Sequence, residues 1–334
     1  MRPIFETFCR KVNYVLILLP NVRLQFVVCP VSWIRRMSTG SFCVSFPIIF
    51  EDGVFWLLRI RCPPQESDVK SEVWQHSLPT FTPVSSMIDG SVATIKYVQT
   101  HSQIPVPTVH FYDSGYDNVF LAPYIVMDYI DGLPAPWSDI DLENEKQSTN
   151  FYSQLCGISL AMSKFRFCQC GYIQSISSDP PIIGALHEWD GKQNGSFQRA
   201  IDYYRQLVDN YWKHACGGCT TEAPLSNDWN WTVALPEEKD LFTAYLHREC
   251  LAKLEKHEIN NEFCLRHIDL KFRNVLVKGE EIVGVLDWDE CSCVPVIGYD
   301  PVPFADREER DKCMKIFSQL ESDGGGDMTI SRNY

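Results

Sequence analysis

The stretch "FCLRHIDLKFRNVLVKGEEIVGVLDWDE" (263–290) constrains the chain's fold more than any other. Two apolar runs, "NVLV" and "EIVGVLDW", flank Lys278-Gly279-Glu280, and that arrangement predicts a short β-hairpin. The second strand then carries Asp287 back to the polar loop that holds His267, Asp269 and Asn274. A fold that uses this stretch must therefore bring three separated side chains to one place.

The rest of the chain can support such a site. Its 334 residues are 45% apolar and 13% aromatic, enough to bury a large core in one large or two medium domains. The formal charge of -13 supplies no broad basic face for phosphate backbones, which argues against nucleic-acid binding. The fourteen cysteines are scattered, unlike a secreted disulfide framework, and read as reduced core residues of a cytoplasmic protein. Cys216-Gly217-Gly218-Cys219 beside His214 lacks the further ligands that a zinc site needs. Asn194-Gly195-Ser196 fits a glycosylation acceptor that a cytoplasmic chain would not use. Near the N-terminus, the apolar run "YVLILL" stops at Pro20, well short of the ~20 residues that span a bilayer. No membrane role is expected.

The chain changes in pattern along its length. From Gly40 to Tyr129 the sequence is strand-rich, with "SFCVSFPIIF" and "VFWLLRIR" flanking Glu51-Asp52-Gly53, a hairpin signal. Within this zone "SVATIKYVQTH" has helical spacing, "IPVPTVHFYDSG" is held extended by its prolines, and "PYIVMDYIDGLP" reads as a strand entering a turn. Beyond Leu142 the period becomes helical in "NFYSQLCGISLAMSKF", "FQRAIDYYRQLVDNYWKH" and "PEEKDLFTAYLHRECLAKLEKH", the last opening on Pro236. Residues 1–39 form an atypical extension, 40–130 a β-rich lobe, 131–318 a mainly helical lobe and 319–334 a disordered tail. Within the first lobe, residues 63–90 lack periodicity and exceed the ~12–15 residues usual for an unstructured connection. They read as an insertion.

His267-Ile268-Asp269-Leu270-Lys271-Phe272-Arg273-Asn274 differs from the kinase catalytic-loop pattern only at its second position. Phosphoryl transfer needs a carboxylate to orient the attacking hydroxyl and take its proton, which is the place for Asp269. It also needs oxygen ligands for the magnesium on the phosphates, supplied by Asn274 and Asp287. An isolated Asp-x-x-x-x-Asn is usually a capped turn; the order of the three residues and the intervening hairpin favour function.

At these residues the chain resembles the aminoglycoside phosphotransferase (phosphotransferase enzyme) family, especially its fungal members. The likeness includes "HIDLKFRNVLV", "GVLDWDE", "IPVPTVHFYDSG" and "PYIVMDYIDG", and extends from about Gly40 to about Pro303. It implies an α+β, two-lobed protein-kinase-like fold with ATP, or alternatively GTP, and magnesium between the lobes. The acceptor would be a small-molecule hydroxyl. By the same resemblance, His267 supports the loop and Asp128, Tyr129 and Ile130 form the hinge that faces adenine. Gly40, Ser41 and Phe42 form the turn over the phosphates, and Arg59 is the cation on the α- and β-phosphates. Arg61, on the same strand face, is the other candidate.

The resemblance also implies a glutamate just before "VATIKYV" to pair with that cation. Ser91 stands there, with Asp89 the nearest acid. This departure leaves a catalytically impaired, kinase-like binding module as the alternative. Glu237, Glu238, Asp240, Asp289 and Glu290 give the second lobe an acidic character suited to a cationic or polyhydroxyl acceptor. A charge run of this kind is more often a solvated face.

Overall fold

A computed structural model describes residues 26–27, 38–39, 43–50, 53–61, 84–187, 193–215, 246–256, 259–297, 313–316, 318–320 and 322. Most of the N-terminal extension, the core of the expected insertion, Gly40–Phe42, the Cys216–Cys219 pair, Glu237, Glu238, Asp240 and most of the C-terminal tail lie outside these residues. Gln319, Leu320 and Ser322, expected in a disordered tail, are helical, with Leu320 packed against the core.

The first lobe is built on an antiparallel sheet. Its strands are β1 (Phe26–Val27), β2 (Ser38–Thr39), β3 (Cys43–Phe50), β4 (Phe55–Arg61), β5 (Val109–Asp113) and β6 (Tyr124–Asp128). They pair in the order β1-β3-β4-β6-β5, and β2 also pairs with β3. The expected β3–β4 hairpin is present, with Gly53 at φ 81° in its turn. Strand alternation then separates the faces of β4. Trp56, Leu58 and Ile60 enter one core with Ile48, Phe50 and Val126, while Arg59 and Arg61 lie on the opposite face. Each fully buried side chain of this size contributes about 1.5–3 kcal/mol relative to exposure.

Helix α1 (Val84–His101) covers that opposite face, with Ile88, Val92, Ile95 and Val98 buried at helical spacing. It begins before Ser91, so residues 84–90 are helical and do not belong to an unstructured insertion. Ser85, Ser86 and Gly90 are weak helix formers, which hides this first turn in the sequence. Ile88, packed into the core, holds it in place.

The connector from β6 leads to β7 (Leu133–Pro134) and is pinned to the second lobe. There the hairpin β13 (Val275–Lys278) and β14 (Glu281–Val285) forms as the sequence predicts, and β7 adds to its β13 edge. Gly132 is needed at this junction. A Cβ there would lie 2.8 Å from Val283 Cγ2 and 3.2 Å from both Leu276 Cβ and the Val277 carbonyl. Behind the hairpin runs α2 (Glu145–Ser163), capped by Asn144, whose side chain accepts from the N–H groups of Lys146 and Gln147.

The expected helix "FQRAIDYYRQLVDNYWKH" is realised as α3 (Ala200–Ala215). Of "PEEKDLFTAYLHRECLAKLEKH", residues 246–254 are helical and the start at Pro236 lies outside the described residues. The helical lobe also contains three small antiparallel pairs that the sequence reading did not anticipate. These are β8 (Tyr172–Ser175) with β9 (Ile182–Gly184), β10 (Leu186–His187) with β11 (Gln193–Asn194), and β12 (Phe263–Arg266) with β15 (Ser292–Pro295). Two to four residues are too few to show a period.

Candidate active site

Strand β12 delivers His267 into the interior, where it is 2% exposed. Nε2 donates to the Leu286 carbonyl at 2.9 Å, and the ring meets Trp288 edge-on at 4.9 Å between centroids. Burial lowers the imidazole pKa against the opposing effects of that hydrogen bond and of Asp287 and Asp269, so the ring is held neutral. The Leu286 N–H in turn donates to the Asn274 carbonyl at 2.8 Å. Both backbone groups of the residue before Asp287 are thus tied to the polar loop.

Asp269 is the centre of that loop. Its carboxylate lies 2.5 Å from Lys271 Nζ and accepts from Arg273 at 3.2 Å and Asn274 Nδ2 at 2.9 Å. Burial pushes its pKa up, but Lys271, Arg273 and Asn274 outweigh this and hold it below the usual carboxylate range. Asn274 closes the short turn Phe272–Asn274, and its Nδ2 also donates to the Asp269 carbonyl at 2.8 Å. Both side-chain bonds use the amide NH₂, so the carboxamide oxygen keeps its lone pairs.

Asp287 follows β14 in a left-handed conformation, φ 64° and ψ 58°, which aspartate tolerates better than most residues. Its side chain is 40% exposed, and one oxygen lies 2.6 Å from an Arg59 guanidinium nitrogen. Arg59 also donates to both oxygens of Asp289, at 3.1 and 3.0 Å, and Arg61 reaches Asp289 at 3.4 Å. Burial opposes the Arg59 charge, but the acids around it, Asp289 foremost, raise its pKa overall. Arg59, not Arg61, is the cation that touches the expected metal ligand.

Asp289 requires a correction. The sequence reading grouped it with acids suited to a cationic or polyhydroxyl acceptor or else to a solvated face, yet it is 8% exposed and surrounded by Arg59, Arg61 and Ser91. The available signal was two arginines on one strand face with no glutamate in the helix opposite. Lys271 was also overlooked as the cation nearest Asp269. Asp89 does not replace the missing glutamate at Arg59; it lines an open cavity of about 430 Å³ with Lys96, Tyr112 and Gln174.

The residues expected to form a hinge, Asp128, Tyr129 and Ile130, sit where β6 meets the connector. Asp128 N–H donates to Thr108 at 2.9 Å and Tyr129 N–H to Phe55 at 3.2 Å, so both are committed within the chain. The Asp128 carboxylate is likewise engaged by His110 and the Thr108 N–H. Among the described residues Ile130 N–H has no partner, while its carbonyl accepts from Gly132. Gly40, Ser41 and Phe42, which join β2 to β3, lie outside the described residues.

A β-rich first lobe whose strand-borne Arg59 meets Asp287 and Asp289 of a second lobe, beside the polar loop of Asp269 and Asn274, is the arrangement of the protein-kinase-like class. A model of the phosphotransferase enzyme family matches residues 88–302, more than half of the chain, and the protein belongs to that family. No curated protein matches it. The chain is similar in fold to the GDP and kanamycin complex of the aminoglycoside phosphotransferase APH(2")-IIIa, at 10% identity and a TM-score of 0.52; the match covers 94% of this chain and 84% of that one. It is also similar to a thermostable mutant of aminoglycoside phosphotransferase APH(4)-Ia, in complex with AMP-PNP and hygromycin B. There the identity is 15% and the TM-score 0.51, with 93% of this chain and 83% of the other covered.

Proposed function

We propose that the protein is a cytoplasmic kinase of small molecules that transfers the γ-phosphoryl group of ATP to an acceptor hydroxyl. The observation that carries this reading is the convergence of Asp269, Asn274 and Asp287, cross-braced through Leu286, with Arg59 directed at the same aspartate. Asp269 accepts a hydrogen bond from the substrate hydroxyl and fixes its line of attack. Because Lys271, Arg273 and Asn274 depress its pKa, it is a weak base that orients the hydroxyl more than it deprotonates it. That suits a loose transition state in which the hydroxyl proton is lost late.

The Asp287 carboxylate and the Asn274 carboxamide oxygen form a hard-oxygen donor pair of the kind magnesium takes. When bound there, magnesium would neutralise the phosphates and the charge developing on them. Arg59 supplies fixed positive charge beside the same site, and the Ile130 N–H is the hinge donor open to a purine. The resemblance favours ATP; the neighbours' GDP and AMP-PNP complexes make GTP the second nucleotide to test. A polyhydroxyl or cationic acceptor is the corresponding substrate class, given kanamycin and hygromycin B in those neighbours.

The test is phosphoryl transfer by wild type and Asp269→Asn across a panel of aminoglycosides, sugars and amino alcohols. The substitution should lower transfer about a hundredfold or more, with nucleotide affinity nearly unchanged. Equal rates in the two proteins would remove Asp269 from this role. The alternative, an impaired binding module, rests on Ser91 in place of a glutamate. It would show as nucleotide binding without transfer to any acceptor.

A further inference from the structure

If the protein is a phosphotransferase, the cation on its nucleotide phosphates needs an acid to hold it in place, and α1 does not supply one. We propose that Asp289 is the positioning residue for Arg59. It would do from the turn after β14 what a glutamate on α1 would otherwise do, with Ser91 as its anchor on the helix.

The geometry divides the two aspartates by task. Asp289 accepts from two guanidinium nitrogens of Arg59, one on each carboxylate oxygen, at 3.1 and 3.0 Å. Such a paired contact fixes the guanidinium plane as well as its distance. Asp287 makes a single Arg59 contact and is 40% exposed at its side chain, whereas that of Asp289 is 9% exposed. A ligand can therefore take Asp287 away from Arg59 while the Asp289 contacts stay. Asp289 is also well placed to remain fixed. It lies in the turn Trp288–Glu290, whose Trp288 is 2% exposed and donates Nε1–H to the Val285 carbonyl at 2.9 Å.

Ser91 completes the argument because its hydroxyl is matched to an acid on the facing turn. Its Oγ lies 2.9 Å from Asp289 Oδ1 and 2.9 Å from the Met87 carbonyl, and its single proton serves these acceptors. A glutamate at position 91 would bring a second carboxylate against Asp289 inside a buried cluster, where like charges repel strongly. The serine and the aspartate thus form one arrangement: the acid has moved from the helix to the turn, and the helix has become neutral. Position 91 then marks a relocated ion pair, and its lack of an acid does not signal a lost activity.

The experiment compares Mg-ATP and adenosine binding by calorimetry, together with melting of the nucleotide-free protein. Asp289→Asn should weaken Mg-ATP binding at least tenfold while leaving adenosine affinity within about twofold, because only the phosphates meet Arg59. Ser91→Glu alone should lower the melting temperature by several degrees. The Asp289→Asn/Ser91→Glu double variant should recover Mg-ATP affinity and melting temperature together, since the acid is returned to the helix.

Unchanged Mg-ATP affinity in Asp289→Asn overturns the proposal, as does an equal loss for both ligands, which would mark a merely structural role. If Asp289→Asn fails to fold, the double variant decides: failure to regain Mg-ATP binding overturns the proposal. A wild-type protein that binds neither nucleotide nor adenosine would instead refute the phosphotransferase reading and this inference with it.

Discussion

His267 shows how a titratable residue can act by staying uncharged. Its Nε2–H must be present to donate to Leu286, and among the described residues Nδ1 has no hydrogen-bond partner. A second proton on Nδ1 would therefore place an unpaired donor in the core. In the unfolded chain the ring takes up its proton as pH falls through about 6.5, whereas in the folded chain uptake is pushed to lower pH. Stability from this group is therefore complete above pH 6.5 and declines below it, toward the folded pKa. Urea unfolding between pH 7.5 and 5 should show a steeper loss in wild type than in His267→Gln, which keeps a donor but cannot titrate. Parallel pH profiles would show that the ring is protonated as readily in the folded state. The expectation that His267 supports the loop was readable from the resemblance. The burial of Asp289 was not, because a carboxylate's environment depends on cations more than two hundred positions away, at Arg59 and Arg61.

Elements with a strong local code were legible, and those specified by packing were not. The β13–β14 hairpin follows from two apolar runs and Gly279, which adopts φ 62°. The β12–β15 pair joins segments separated by that hairpin and has no comparable turn signal. The first turn of α1 was missed because its residues favour other conformations until Ile88 packs. At the interlobe connector, the controlling element is one glycine. In Gly132→Ala the new methyl would meet Val283, Leu276 and the Val277 carbonyl. Two of these contacts, the Leu276 Cβ and the carbonyl, cannot rotate away, so the connector must lift from β13 and β14. Overpacking of this kind costs about 1–3 kcal/mol, and the displacement falls beside Ile130. Gly132→Ala should therefore lower the denaturant midpoint and weaken adenosine binding together. Gly279→Ala also strains a positive φ, but at an open turn with nothing within 4 Å, and should lower stability alone. Adenosine affinity unchanged in Gly132→Ala would separate the connector from the nucleotide site.

At the scale of the whole molecule, the two lobes meet through side chains that a bound nucleotide would also engage. Arg59 belongs to the first lobe and Asp287 and Asp289 to the second, so their ion pairs bridge the two lobes. Binding of Mg-ATP would exchange the Arg59–Asp287 contact for contacts to phosphate and metal while the Asp289 bridge persists. Ligand that binds only the folded state at about 100 times its dissociation constant adds roughly 2.7 kcal/mol. For a chain of this size that corresponds to an upward shift of a few degrees in the melting temperature. The shift should depend on magnesium, because Asp287 and Asn274 would reach the phosphates through it. In Asp287→Asn the left-handed backbone is retained, since asparagine tolerates it as aspartate does, and only the charge is lost. The magnesium-dependent part of the shift should then disappear while a smaller metal-free nucleotide effect, carried by Arg59, remains. Full magnesium dependence in Asp287→Asn would assign the metal to other ligands. No shift in wild type with ATP or GTP, with either magnesium or manganese, would mean that the interlobe bridge serves folding alone.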